Sequence, residues 1–319
     1  MTTEGNDSVE ILLRKAGRRP APPSAVAAAV YEHTRGVWQS QAQRRHLVRR
    51  AYALAAALVL VVVSGWGTWS RFPHTTLATA VAGQDLLITH SHWHPLAARH
   101  GGELYVGDEV LSGAAGVVLR RTDGTEYRMA RNSRLSFSSP SDVKLWRGSL
   151  FVQTNGTKRT RALVVVTDLG SVEHIGTQFL VDRGNGGLMV AVRDGQVAMH
   201  YAQHETVELR AGQAATLDPR GDLHRWNVAA FDGVWDWADG LAAPLDIDGQ
   251  SLYAVLDRIA QRSGLVLNFA TATAATEARE LTLHGAPLAL EPRDALNAVL
   301  ATTTLQGAAD GRQILVTAR

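Results

Sequence analysis

Apolar positions follow three regimes along the chain. From Ala51 to Ser70 they are almost continuous: AYALAAALVLVVVSGWGTWS holds no Asp, Glu, Lys or Arg. Twenty helical residues at about 1.5 Å each reach roughly 30 Å, the thickness of a bilayer core. A helix apolar on every face lacks the polar stripe of an ordinary core helix, so the pattern predicts one transmembrane helix. From about Gly102 to Leu217 apolar residues come in short alternations between turn signals. Val117-Val118-Leu119 and Tyr127-Arg128-Met129 flank Asp123-Gly124, a hairpin signal. Leu145-Trp146 and Leu150-Phe151-Val152 flank Arg147-Gly148, and Leu188 to Val192 and Gln196 to Tyr201 flank Asp194-Gly195. Many short strands with no helical stretch predict an all-β domain, a sandwich or a stacked β-coil. From Leu245 the period lengthens. Leu252, Val255, Leu256 and Ile259 recur at helical spacing, and Gly264 follows as a C-cap. Leu265 to Phe269 reads as a strand, Leu281 to Leu283 as another, and Gln313 to Thr317 as a last one. Pro292 opens a second helix with Ala295, Leu296, Val299 and Leu300 on one face. Strand–helix–strand, repeated twice, makes an α+β domain.

The expected organisation is therefore a cytoplasmic helical tail (1–50), a transmembrane helix (51–70), a periplasmic linker (71–101), an all-β domain (102–217), a Trp- and Asp-rich bridge (218–244) and an α+β domain (245–319). Charge sets the orientation. Residues 1–50 carry nine basic and four acidic residues, and residues 71–319 carry 23 basic and 26 acidic. The basic excess thus belongs to the tail, which argues against a nucleic-acid-binding domain and for a sorted topology. Arg49 and Arg50 anchor the inner end of the span, and Trp66 and Trp69 fall where an interfacial aromatic belt lies. Fifty residues before the apolar run is long for a signal peptide. In the tail, Val30, Val37 and Trp38 share a helical face after Pro20, Pro22 and Pro23. That face suits either a protein partner or the inner leaflet.

Several short pieces resemble the periplasmic domain of the FecR family of membrane-bound regulators. They are Leu119…Asp123-Gly124-Thr125, Asn132-Ser133-Arg134-Leu135 and Leu145…Gly148-Ser149-Leu150-Phe151-Val152. They continue with Ile175-Gly176-Thr177-Gln178-Phe179-Leu180-Val181, Val192-Arg193-Asp194-Gly195-Gln196-Val197 and Leu209…Ala211-Gly212-Gln213. The C-terminal region resembles the short domain at the N-termini of secretins and TonB-dependent receptors. That match runs through Leu245-Asp246-Ile247, Leu252…Leu256…Ala260…Ser263-Gly264-Leu265, Ala295-Leu296…Leu300 and Ile314-Leu315-Val316. The first resemblance implies an inner-membrane anti-sigma regulator that relays a signal from a TonB-dependent receptor to an extracytoplasmic-function sigma factor. The tail is shorter than the sigma-binding domain of better-known FecR proteins. The other reading is a membrane-anchored envelope adaptor without transcriptional output.

Candidate chemistry is sparse. There is no cysteine, which excludes disulfides, thiolate metal sites and a Cys nucleophile. His90, His92 and His94 would share one face of a strand and could take a transition metal, or they belong to a solvated linker. No hydrolase, zincin or phosphate-loop pattern occurs, and no cofactor is expected. The resemblance singles out the Gly176–Thr177 bond, because some FecR-like regulators are processed at Gly-Thr. There the Thr hydroxyl could attack the preceding carbonyl and give an ester by N-to-O acyl shift, which water cleaves. The alternative is a bulge glycine beside an ordinary strand threonine.

Overall fold

The structure, a computed structural model, describes residues 76–82, 86–89, 98–100, 102–154, 162–174, 178–184, 186–201 and 205–319, with 14, 15, 23, 24 and 28 in the tail. The chain divides into two compact units, Met1–Pro73 and His74–Arg319. The second unit holds all the strands among the described residues. No helix among those residues is long and apolar enough to cross a membrane, and Ala51 to Ser70 lies outside them.

The β body begins with β1 (Ala78–Ala82), β2 (Leu87–Thr89), β3 (Ala98–His100), β4 (Glu103–Leu104) and β5 (Glu109–Leu111). It continues with β6 (Val117–Arg121), β7 (Glu126–Met129), β8 (Arg134–Phe137), β9 (Asp142–Gln153), β10 (Val164–Val166) and β11 (Gly170–His174). It ends with β12 (Gln178–Gly184), β13 (Gly187–Asp194), β14 (Gln196–Tyr201), β15 (Glu205–Arg210), β16 (Gln213–Leu217) and β17 (Leu223–Asn227). One sheet runs β4-β1-β6-β7-β9-β12-β13-β16-β17. The other runs β3-β2-β5-β8-β9-β10-β11-β14-β15, antiparallel except for β9 with β10. The long β9 belongs to both sheets. The core lies between them, where Leu119, Tyr127, Leu150, Phe179 and Val190 of one meet Ile88, Leu135, Phe137, Val165 and Met199 of the other.

Two turn expectations are corrected. Arg147-Gly148 and Asp194-Gly195 do not close hairpins; they are corners where the chain crosses between sheets. At the first, β9 pairs with β8 up to Arg147 and with β12 from Gly148 onward. Gly148 has φ +86° there, and a Cβ would stand 2.2 Å from Ser133 Oγ. Only glycine combines that backbone with that approach. At the second, β13 and β14 lie in different sheets. Asp123-Gly124 is a true hairpin, β6 pairing with β7. The expected linker 71–101 is also corrected: β1, β2 and β3 fall within it, and β1 pairs with both β4 and β6. The bridge likewise supplies β17.

After a 3-10 turn at Gly233–Trp235 come α1 (Asp236–Gly240), β18 (Gln250–Ser251), α2 (Leu252–Arg262), β19 (Val266–Phe269) and α3 (Ala272–Glu280). The chain closes with β20 (Thr282–Leu283), α4 (Pro292–Ala301), β21 (Leu305–Asp310) and β22 (Gln313–Ala318). Ser251 Oγ accepts from Ala254 N at 3.2 Å and caps α2. Leu252, Val255, Leu256 and Ile259 of α2 pack with Leu296, Val299 and Leu300 of α4 in a second core. Strand–helix–strand occurs twice, β18-α2-β19 and β20-α4-β21. Helix α3 and strand β21 were not expected from the sequence.

Candidate functional site

The middle of the first sheet, across β9, β12, β13 and β16, is buried on both sides. Leu150 and Val152 face the core between the sheets, so Phe151 faces outward, as do Leu180, Ala191 and Ala214 on neighbouring strands. These four are covered by Val228, Trp235 and Ala238 of the bridge. Trp235 meets Phe151 edge-on at 6.2 Å, and its indole N–H donates to the Ala229 carbonyl at 2.8 Å. The tryptophan thus buries its area with its one donor satisfied.

Two arginines on this outward face hold the bridge down. Arg128 lies over the Phe151 ring at 5.2 Å and donates from Nη1 to the Ala238 carbonyl at 3.0 Å. Arg193 donates to both oxygens of Asp239 at 2.7 Å and to the Ala230 carbonyl at 2.9 Å, with its guanidinium 5.1 Å from the Trp235 ring. The Arg193 side chain has 0% exposure and that of Asp239 has 7%. A buried, bidentate, fully bonded pair of this kind fixes a geometry, because either charge alone would be stranded. Burial pushes the Glu126 carboxyl up, but Arg128 and Arg120 together outweigh it and hold the group below the ordinary glutamate range.

The α+β domain meets the β body at the ends of β12 and β13. Gln178 at the start of β12 donates to the Gln261 carbonyl in the last turn of α2 at 2.6 Å. Gly264, with φ +66°, passes so close that a Cβ would stand 2.7 Å from the Arg193 carbonyl. Arg312 reaches Asp194 at 3.3 Å. Between these contacts lies a cavity of about 310 Å³, walled by Arg193, Phe231, Trp235, Gly264, Arg293 and Arg312. The seam is therefore one continuous surface through sheet, bridge and α2. Its side chains contribute hydrogen bonds and one buried ion pair. Among the described residues no three His, Asp or Glu side chains converge on a metal-sized point.

Val30, Val37, Trp38, Arg49, Arg50, Trp66, Trp69, His90, His92, His94, Gly176 and Thr177 all lie outside the described residues. The seam residues Arg128, Arg193, Gln178 and Asp239 were not anticipated as a site. One signal was available: Arg128 stands between Tyr127 and Met129, and Arg193 follows directly on the apolar run Leu188 to Val192.

Comparison with known proteins places the β body. Residues 109–198, from β5 into β14, match the family model described as FecR protein, so the chain carries a FecR domain. Two crystal structures of a candidate anti-sigma factor from Parabacteroides distasonis ATCC 8503 are similar. One aligns over 66% of this chain and 98% of its own at 14% identity, with a TM-score of 0.35. The other aligns over 65% and 97% at 15% identity, also with a TM-score of 0.35. No curated protein matches the chain.

Proposed function

We propose that the chain is a single-pass inner-membrane signal regulator of the FecR type, with its N-terminus in the cytoplasm and residues 71–319 in the periplasm. The FecR match over 109–198 carries this reading. The charge sorting around Ala51 to Ser70 supports the topology. In this reading the α+β domain is the receiving end, built like the short N-terminal domains of secretins and TonB-dependent receptors, and its partner is a receptor's signalling domain. The tail is the output, acting as an anti-sigma element on an extracytoplasmic-function sigma factor through the face of Val30, Val37 and Trp38. The seam transmits, because a contact at the α+β domain is passed to the FecR domain through Gln178, Arg193 and Arg312. The work is differential binding between two states, which needs no turnover. A single self-cleavage at Gly176–Thr177 is compatible with it.

Immobilised residues 1–50 test the output directly against purified sigma factors of the same genome. One of them should be retained, and Trp38→Ala should release it. A tail that holds none of them would remove the transcriptional half of the proposal and leave an envelope adaptor.

A further inference from the structure

Near the Arg128 and Arg193 contacts, the C-terminal half of α2 carries two guanidinium groups. Arg258 and Arg262 lie four residues apart on α2 and so share one face of the helix. Arg262 donates to the Ala243 carbonyl at 2.8 Å. Arg128 donates to the Ala238 carbonyl and to Gln153 Oε1, at 3.0 and 3.1 Å. The neighbouring carboxylates are already engaged. Glu126 accepts from Arg128 at 2.8 Å and from Arg120 at 3.0 Å, and Asp239 accepts both bonds of Arg193. Arg258 Nη2 is buried with no hydrogen-bond partner among the described residues. Burial above all, then the charge of Arg128, pulls the Arg262 guanidinium below the ordinary arginine value; Arg258 adds to this, and Glu126 and Asp239 oppose it.

Arginine cannot shed its proton, so a desolvated N–H of this kind stays an unmet donor until an acceptor arrives. The guanidinium fork matches the paired oxygens of a carboxylate. We propose that Arg258, with Arg262 one turn further along α2, is a receiving site for a carboxylate from outside this chain, supplied by a small organic acid or by an acidic side chain of a docking segment. The occupant would bond to α2 beside the bridge and tighten the seam by adding an acceptor that the protein itself does not provide. This goes beyond the proposed signalling role and holds whether or not the chain crosses a membrane.

The test uses the full chain in detergent micelles, with citrate and a glutamate hexapeptide as probes against chloride at matched ionic strength. Calorimetry should show saturable binding of at least one probe, and the unfolding midpoint should rise with it. Citrate alone would identify a free acid as the natural source, and the hexapeptide alone an acidic segment. Arg258→Met should weaken binding about tenfold or more, while its probe-free midpoint stays level or rises, because a buried donor with no acceptor has been removed. Arg210→Gln, at an exposed arginine on β15, should change neither. Absence of binding by both probes would overturn the site. So would binding that survives Arg258→Met, or a probe-free midpoint that falls in that variant.

Discussion

The two outer faces of the β body solve the same chemistry in opposite surroundings. Each carries a bidentate arginine–carboxylate pair and an arginine near a tryptophan. On the first sheet, Arg193 holds Asp239 at 2.7 Å with side-chain exposures of 0% and 7%, beneath the bridge. On the second, Arg134 holds Glu109 at 2.6 and 2.9 Å with exposures of 46% and 31%. There Trp146 is 45% exposed, with Lys144 Nζ 3.6 Å from its ring centroid and Arg134 5.5 Å away on the ring. Bond lengths are alike, so geometry does not separate the two pairs; water does. In the open pair, solvent screens the attraction and also rescues either partner when the other is lost. In the closed pair neither rescue exists, and the ion pair becomes a positional lock. A seam built on the first kind of pair can hold two domains in register, whereas the second kind decorates a free surface.

The comparison breaks most visibly at Arg193. Arg193→Ala should destabilise residues 74–319 by about 3–5 kcal/mol, because Asp239 would be left buried and unpaired. Denaturant unfolding would show it, and the double variant with Asp239→Ala should cost less than the sum of the two singles. A loss near that of a surface pair would mean the seam is wet. Next in size is the domain the seam holds. Leu256 is fully buried in α2, so Leu256→Ala should cost about 2–5 kcal/mol in the same assay. An unchanged midpoint would misplace that helix face. Gly148→Ala probes the corner that lets β9 serve both sheets. The left-handed backbone alone costs about 1–2 kcal/mol, and the clash with Ser133 adds to it. A neutral result would contradict the corner.

Acid sharpens the contrast further. The folded Glu126 carboxyl lies below its ordinary range, so its contribution is fully present above the unfolded value and is lost as pH falls through the folded one. Glu126→Gln should therefore be less stable than the native chain near neutrality and converge with it in strong acid. Parallel pH curves for the two proteins would count against the depressed carboxyl. The smallest effect belongs to the open face: Arg134→Ala should change stability by about 1 kcal/mol or less. A loss as large as that of Arg193→Ala would erase the distinction between the faces.

What was legible in the sequence follows the physics of each region. The buried faces of α2 and α4 could be read because large apolar residues recur at helical spacing. Helix α3 could not, since it buries only Ala274 and Ala278, which give no apolar period. Strands were visible as alternations, but corners were not separable from hairpins. A glycine at positive φ serves both, and only the distant pairing partner tells them apart. The clamp was hidden for a related reason. Arg193 sits where alternation assigns a solvent-facing residue, and the partner that buries it lies 46 positions further on. The FecR pieces nevertheless marked the architecture, since Gly148-Ser149, Asp194-Gly195 and Ala211-Gly212 are corners between the sheets.

The proposed regulator reaches across a membrane, with residues 71–319 on one side and its tail on the other. Alkaline phosphatase fused after Arg319 tests it most directly, because that enzyme folds only outside the cytoplasm. The account predicts an active phosphatase fusion and a silent cytoplasmic reporter at the same position. An inactive phosphatase with an active cytoplasmic reporter there would contradict it.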